Sequence, residues 1–196
     1  SVVDQIDRMQ RDPTVKAVVI RLDSPGGGVA ASQEIYDAVR RLRDEGKPVV
    51  ASMGGVAASG AYYVACAADS IVANPGTLTG SIGVIMSFPN TEELFRKVGV
   101  KFETIKTGKF KDVGSMWRPM TDDEKALLQE VLGNVYEQFF DAIVDASTRL
   151  ANEDLGVLSF DDSDVRALAF ITDGRDTSSL NTFEEALQLA KDLRVR

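Results

Sequence analysis

Short apolar runs alternate with amphipathic segments through the first third of the chain. Helical spacing over Val2 to Gln10 is followed by a buried-strand pattern from Lys16 to Leu22, and Ala30 to Glu45 again has one apolar helical face. Val49 to Met53 then predicts a second strand, and a small-residue helix is predicted from Ser59 to Ala67. This α/β alternation predicts a mainly parallel sheet in repeated β-α units with covering helices.

The rest of the chain predicts further elements of both kinds. Three more strands are expected, at Ser70 to Ala73, Ile82 to Met86 and Lys101 to Lys106. Helices are expected after Asn90, after the capping-box pair Thr121 and Glu124 as far as Leu150, and after the similar pair Thr182 and Glu185. We predict a core over 1–150 and a C-terminal extension over 151–196, in one domain, with an acidic connector from Asn152 to Asp164.

Composition removes several classes of function. The 196 residues include no histidine, so neither a Ser-His-Asp site nor a metal site that depends on imidazole can be built. The formal net charge of -8 argues against nucleic-acid binding, because the sequence has no row of Lys and Arg side chains that could replace the counterions of the phosphates. Dinucleotide and P-loop fingerprints are absent, so we expect no cofactor. No apolar stretch approaches the ~18 residues of a membrane span, and we expect the chain to be soluble.

Two glycine-rich segments, each containing a predicted loop at Gly26-Gly27-Gly28 or Gly54-Gly55, follow the carboxyl ends of strands, where parallel sheets place their ligand sites. In Asp23-Ser-Pro-Gly-Gly-Gly28 three glycines can expose backbone N–H groups, which suits an oxyanion hole, although a plain turn or a phosphate loop fits the same pattern. In Gly54-Gly-Val-Ala-Ala-Ser-Gly-Ala-Tyr-Tyr63 one serine is surrounded by small residues. Ser59 could serve only as a helix cap, but the cleared space favours a nucleophile with the free N–H of Gly60 beside it.

A serine nucleophile needs a base, and without histidine a lysine is the best fit. Such a lysine must lose its proton near neutral pH, which desolvation in an uncharged cleft favours. Four lysines lie in or next to the segment before Pro119: Lys101, Lys106, Lys109 and Lys111. Sequence reasoning from residue types leaves the choice among them open.

Five motifs, taken together and in order, resemble the signal peptide peptidase A family. Besides the two glycine-rich segments they are Thr79-Gly-Ser-Ile-Gly-Val84, Thr107-Gly-Lys-Phe-Lys-Asp112 and Arg118-Pro-Met-Thr-Asp-Asp-Glu124. The resemblance extends from Val2 to Leu150. It implies a ClpP/crotonase fold and a serine endopeptidase that degrades remnant signal peptides and other extended apolar peptides through an acyl-enzyme.

The resemblance also implies roles for individual residues. It places the catalytic Ser-Lys dyad on Ser59 and Lys111, and the residue that orients the lysine ammonium on Ser81. It assigns the oxyanion N–H groups to Gly26 and Gly60. These assignments resolve the choice among the lysines, which residue types alone left open.

Partners and location follow from the same resemblance. It implies a homo-oligomer at a bacterial-type cell membrane, with the catalytic core on the extracytoplasmic side, and we expect Ser59 of one chain to meet Lys111 of the next. The resemblance also leads us to expect an N-terminal strand and a membrane anchor that this sequence does not contain. Near the C-terminus Asp173-Gly-Arg175 fits the family, whereas Asp176-Thr-Ser-Ser179 departs from it.

Two alternative functions remain open at this point. A crotonase-type acyl-CoA enzyme would share the fold and the oxyanion loop, but it does not need a serine in an alanine-glycine setting. An inactive homologue acting as a membrane-associated scaffold would fit the departures near the two termini, whereas the intact Ser59 and Lys111 argue against it.

Overall fold

A computed structural model describes residues 1–152 and 165–172 of the chain. Within these ranges the elements are α1 Val2–Arg11, β1 Ala17–Ser24, α2 Val29–Asp44, β2 Val49–Ala58, α3 Gly60–Ala65, β3 Ser70–Val72, β4 Leu78–Gly80, α4 Glu92–Lys97, α5 Asp122–Asn152 and β5 Val165–Thr172. They belong to two compact units. The first holds residues 1–82 and the described residues from 139 onwards, and the second holds residues 83–138.

The first unit is built on a parallel sheet. Strands β3, β2, β1 and β5 lie side by side in that order, β4 pairs with the far end of β2, and all four pairings are parallel. Alternate residues of β1, namely Val18, Ile20 and Leu22, are at most 1% exposed, since alternate side chains of a strand share one face. They form one core with Ile6 of α1 and Leu42 of α2. The predicted parallel α/β sheet with covering helices is confirmed.

Helix ends follow the predicted capping residues closely. The Thr121 N–H donates to Glu124 Oε2 at 2.8 Å and the Glu124 N–H donates to Thr121 Oγ1 at 3.3 Å, so the capping box at the start of α5 is confirmed. Asn90 accepts the N–H of Glu92 at 3.0 Å, although Thr91 occupies the cap position of α4, one residue later than predicted.

Three sequence predictions differ from the structure. The Gly54-Gly55 segment is not a loop, because β2 continues through it to Ala58. The segments from Ile82 to Met86 and from Lys101 to Lys106 are not strands. Both segments are rich in β-branched or aromatic residues, but in the part of the chain that is described no neighbouring strand completes their backbone hydrogen bonds, and strand propensity alone does not form a sheet.

Strand β5 was not predicted. It pairs with β1 from Ala17 to Asp23, with one register irregularity after Ala17. Its sequence, Val165-Arg-Ala-Leu-Ala-Phe-Ile-Thr172, is the short apolar run expected of a buried parallel strand. Three predicted features lie outside the described residues: the connector after Asn152, the Asp173 to Ser179 segment and the terminal helix after Thr182. The division of the chain at residue 150 stays a prediction.

The second unit is held by aromatic stacking. The rings of Phe102 and Trp117 stack with centroids 3.9 Å apart, and Phe95 contacts each of them edge-on at about 5 Å. In contrast, Ile85 and Ile105 are 85% and 101% exposed. No helix in 1–152 combines the length and the apolar character needed to cross a bilayer.

Candidate active site

Ser59 lies at a sharp turn between β2 and α3. Its φ of 52° and ψ of −122° place a non-glycine residue in the left-handed half of backbone space, which costs about 1–3 kcal/mol. The hydroxyl does not cap α3, although Ser59 occupies the cap position. A strained serine between a strand and a helix, with a hydroxyl that does not cap the helix, resembles the arrangement of a nucleophile elbow. The alternative that Ser59 serves as a side-chain cap is therefore wrong.

A bulge in β2 leads the chain into this turn. Leu22 pairs with Met53 and Ser24 pairs with Ala57, so one residue of β1 faces three residues of β2. The Asp23 carboxylate fills the gap and accepts the N–H of Val56 at 3.0 Å. Sequence reasoning gave no role to Asp23, because its partner is 33 residues away in the chain.

The space for the Asp23 carboxylate depends on a glycine. A Cβ atom on Gly54 would lie 2.7 Å from either carboxylate oxygen of Asp23. Glycine at position 54 therefore allows the Asp23 side chain to approach the backbone of β2, and a filled bulge takes the place of the predicted loop.

The first glycine loop packs directly against the Ser59 turn. Gly26 has a φ of 102°, and a Cβ on it would lie 2.7 Å from both the Cβ of Ser59 and the amide nitrogen of Gly60. A Cβ on Gly60 would collide with the Ser32 hydroxyl and lie 3.4 Å from the amide nitrogen of Gly27. Both glycines allow backbone to lie against backbone, which brings amide groups to the side of Ser59.

The amides beside Ser59 differ in their hydrogen bonding. Among the residues that the structure describes, the N–H groups of Gly60 and Gly27 have no acceptor. The Gly26 N–H donates to Ser24 Oγ at 3.2 Å. An oxyanion hole needs donors that are free or easily released. Gly60 satisfies this requirement as the structure stands, whereas Gly26 would first have to exchange its Ser24 partner.

Ser81 is connected to Ser59 through the backbone. The Ser59 N–H donates to the carbonyl oxygen of Gly80 at 2.8 Å, and Ala58 pairs with Gly80 in the ladder between β2 and β4. Ser81, the next residue, has a φ of 52°, and it and Ser59 are the two non-glycine residues with positive φ in the described ranges. The hydroxyl of Ser81 belongs to an exposed residue.

The helix that follows Ser59 is anchored at its other end by two arginines. Arg149 Nη2 donates to the carbonyl oxygens of Cys66 at 2.8 Å and Ala68 at 2.9 Å, and Arg43 Nη1 donates to that of Ala67 at 3.0 Å. Cations at the C-terminal end of a helix satisfy its last carbonyls and complement its dipole. These contacts fix α3 and, with it, the turn at Ser59.

Lys111 belongs to the second unit, in a run of turns closed by the bond from its N–H to the Gly108 carbonyl at 3.2 Å. It is exposed, and its ammonium forms no ion pair within 1–152. Two other candidate lysines are engaged: the ammonium of Lys106 pairs with Asp112 and that of Lys109 pairs with Asp123. The structure thus brings Ser59, Gly60, Gly26 and Ser81 together in the first unit. Lys106 and Lys109 differ from Lys111 in that each has an ion-pair partner.

The turn that carries Lys111 is followed by a network of charges. Hydrogen bonds from Arg118 and Lys106 hold the pKa of Asp112 well below its usual range. A hydrogen bond from Arg118, together with the Thr121 N–H, lowers the pKa of Glu124 to about 2. Both carboxylates therefore stay charged near neutral pH. No group of acidic or cysteine side chains suited to a metal ion is found in the described part of the chain.

Comparison with known proteins places these features in a family. Peptidase family S49 matches residues 41–158, and the Clp protease family matches residues 1–76. The latter match, together with the parallel sheet, confirms a ClpP-like α/β fold.

Individual relatives agree with the family match. A protein of Synechocystis sp. that is named as a protease is 45% identical over 70% of this chain and 49% of its own length. Protease 4 of Salmonella typhi is 34% identical over 96% of this chain and 30% of its own length. Serine protease SPPA, chloroplastic, of Arabidopsis thaliana is 41% identical over 71% of this chain and 20% of its own length. The chain thus spans half or less of the length of these relatives, and it belongs to peptidase family S49, as its resemblance to signal peptide peptidase A indicated.

Proposed function

We propose that this chain carries the active site of a serine peptidase in which Ser59 is the nucleophile and Lys111 the general base. The observation that carries the proposal is the strained turn at Ser59, with the glycine loop packed against it. The amide of Gly60, directly after Ser59, has no acceptor among the described residues. Backbone strain persists where the surrounding structure enforces it, and it is common at catalytic residues.

The proposed chemistry proceeds in two stages. The neutral amine of Lys111 takes the proton of Ser59 Oγ as this oxygen attacks the scissile carbonyl carbon. The N–H of Gly60 and an amide of the glycine loop stabilise the resulting oxyanion. Lys111 then gives its proton to the leaving amine, and the acyl group stays on Ser59. In the second stage a water molecule gives a proton to Lys111, attacks the acyl carbon and releases the acid, and Ser59 recovers its proton.

The ion pairs of the second unit support Lys111 over two of its neighbours. An ion pair stabilises the charged ammonium form and so opposes the loss of a proton. Lys106 and Lys109 have such partners in Asp112 and Asp123. Lys101 has no ion pair among the described residues either, and only the family resemblance separates it from Lys111.

We also propose that Ser81 orients the ammonium of Lys111. Its hydroxyl is exposed, and its position is fixed by the bond between Ser59 and Gly80. A residue in a strained conformation directly beside the nucleophile turn is well suited to hold a base by a hydrogen bond.

The proposed substrates are extended peptides with apolar or small side chains, such as remnant signal peptides. Within the described residues β4 pairs only with β2, so its other edge can accept an extended chain. Leu78, at the start of β4, is 65% exposed and offers an apolar contact beside the Ser59 turn.

We further propose that the protein is a homo-oligomer at a cell membrane, with the site on the extracytoplasmic side and Ser59 and Lys111 contributed by neighbouring chains. The second unit supports an assembly, since large apolar side chains such as Ile85, Val98 and Ile105 are more than half exposed. Mixing Ser59→Ala protein with Lys111→Ala protein under subunit exchange should restore part of the activity. Demonstrated exchange without any recovery would place both residues of the dyad in one chain.

Labelling with a fluorophosphonate tests the proposed nucleophile. The reagent should modify Ser59, located by peptide mass spectrometry, and Ser59→Ala protein should not react. An exposed serine outside the site, Ser87, provides the matched control, and Ser87→Ala protein should react at the rate of the unaltered protein. A protein that folds but does not react at Ser59 would support an inactive scaffold instead.

A further inference from the structure

Four charged side chains surround the turn that follows Lys111. Arg118 is at the centre: its Nη1 donates to Glu124 Oε2 at 2.8 Å and its Nε donates to Asp112 Oδ2 at 3.0 Å. The ammonium of Lys106 binds the other oxygen of Asp112. Two positive and two negative charges make this cluster neutral overall.

The cluster is more protected from water than an ordinary surface ion pair. The side chains of Asp112 and Glu124 are 15% and 3% exposed, and that of Arg118 is 30% exposed. Glu124 also accepts the N–H of Thr121 at 2.8 Å in the capping box of α5. Arg118 therefore ties the turn that contains Asp112 to the beginning of a long helix.

Asp112 directly follows Lys111 in the chain, which makes its charge relevant to the proposed base. A free carboxylate close to an amine stabilises the ammonium form, by an amount equivalent to about 1–3 pH units. Here both oxygens of Asp112 are engaged. Arg118 binds Oδ2, and both Lys106 and Arg118 contact Oδ1. The carboxylate is therefore not available to Lys111.

We propose that Arg118 and Lys106 are positioning residues that hold the Asp112 carboxylate away from Lys111, so that this lysine can give up its proton. The inference rests on the proposed role of Lys111 as the base. The remaining charged groups on this turn and on the first turn of α5 are paired with one another: Lys109 with Asp123, and Lys125 with Asp122. Asp112 is thus the carboxylate whose release would place a new negative charge beside Lys111.

The test compares Arg118→Gln with the double substitution Asp112→Asn/Arg118→Gln in the full chain. In the first, Asp112 loses Arg118 and keeps only Lys106 of these two partners, so its carboxylate can approach Lys111 more easily. The pH midpoint of peptidase activity should then rise by about 1 unit, with about a tenfold loss of rate below the midpoint. In the second, the carboxylate is gone, and the midpoint should return close to its original value although the ionic tie is still broken. The pair Lys109→Gln/Asp123→Asn is the matched control and should leave the midpoint unchanged.

A purely structural role for Arg118 predicts a different result, because the double variant would then be no better than Arg118→Gln. That outcome, in proteins with unaltered circular dichroism, would overturn the inference. If Arg118→Gln does not fold, Lys106→Gln replaces it, since it keeps the Arg118–Glu124 pair, and its midpoint should move in the same direction by a smaller amount.

A second readout separates this inference from the proposed function. The rate at which acetic anhydride modifies Lys111, measured across pH by mass spectrometry, reports its neutral form without any peptidase activity. Suppose that the acetylation profile of Lys111 shifts in Arg118→Gln, but Lys111→Ala protein is still active. The effect of Arg118 on the charge of Lys111 would then be supported, and Lys111 would be rejected as the base. If the profile does not shift but Lys111→Ala protein is inactive, the proposed role of Arg118 would be rejected while Lys111 would remain the base.

Discussion

Gly26 lies so close to Ser59 that a Cβ atom on the glycine would be 2.7 Å from the Cβ of the serine. The same atom would be 2.7 Å from the amide nitrogen of Gly60, and the φ of Gly26, 102°, is one that L side chains rarely adopt. The glycine loop and the turn at Ser59 can therefore meet only because residue 26 has no side chain.

Gly26→Ala should reduce peptidase turnover by about 100-fold or more, because the methyl group would push the proposed oxyanion donors out of place. Gly28→Ala is the matched control, since Gly28 has a φ of −64° and open space around its Cα. Turnover on a peptide substrate and the fluorophosphonate labelling rate measure the effect. Equal turnover in the two variants would contradict the assignment of this loop to the site.

Gly54→Ala should destabilise the fold by about 1–3 kcal/mol, because the added methyl would overlap the Asp23 carboxylate in the bulge of β2. The nearest contact of a Cβ on the next glycine, Gly55, is 4.0 Å, so Gly55→Ala should be much milder. Urea unfolding curves of the two proteins give the comparison. A Gly54→Ala protein as stable as Gly55→Ala would mean that the carboxylate does not occupy the bulge.

Lys111→Arg should lower turnover by about 100-fold or more despite keeping the positive charge, because a guanidinium does not deprotonate in proteins. Activity of the unaltered protein should rise with pH to a plateau, since the neutral amine is the reactive form. Lys109→Arg, in which the cation can still pair with Asp123, serves as the control and should be nearly silent. An inactive Lys109→Arg protein beside an active Lys111→Arg protein would move the base by two residues.

Stability should fall in acid as Glu124 becomes protonated. Its pKa is lowered from 4.5 to about 2 by Arg118, so the charged form stabilises the folded state at pH values above 4.5 and this contribution is lost as pH falls towards 2. Melting temperatures from pH 7 to pH 2 should therefore fall less steeply for Glu124→Gln over this window. The exposed residue Glu130 on the same helix is the control, and Glu130→Gln should keep the original slope.

The sequence predicted the first unit well because its periodicities are local. Helix α1, strand β1 and helix α2 lie within one or two residues of the patterns that indicated them. Strand β5 has an equally apolar sequence, but its partner β1 is over 140 residues earlier in the chain. The pattern of neighbouring residues does not show which distant strand β5 pairs with.

Site residues were predictable where the chemistry of a nucleophile and its base allows few residue types. The absence of histidine and the small residues around Ser59 pointed to a serine with a lysine base. The filled bulge at Asp23 and the Arg118 cluster depend on contacts between distant residues, so spacing alone gave no sign of them. The choice of Lys111 came from the family resemblance, and its distinction from Lys106 and Lys109 by ion pairing became visible only in three dimensions.

A crystal structure of the protein with a peptide boronate bound would test the proposed Ser-Lys dyad by showing its atoms in place. We expect a covalent bond from the boron to Ser59 Oγ and a boronate oxygen that accepts the Gly60 N–H. We also expect Lys111 Nζ, of the same or a neighbouring chain, to lie about 2.6–3.2 Å from Ser59 Oγ. A boronate bonded to another residue, or a different side chain within hydrogen-bond distance of Ser59 Oγ in place of Lys111, would contradict the proposed dyad.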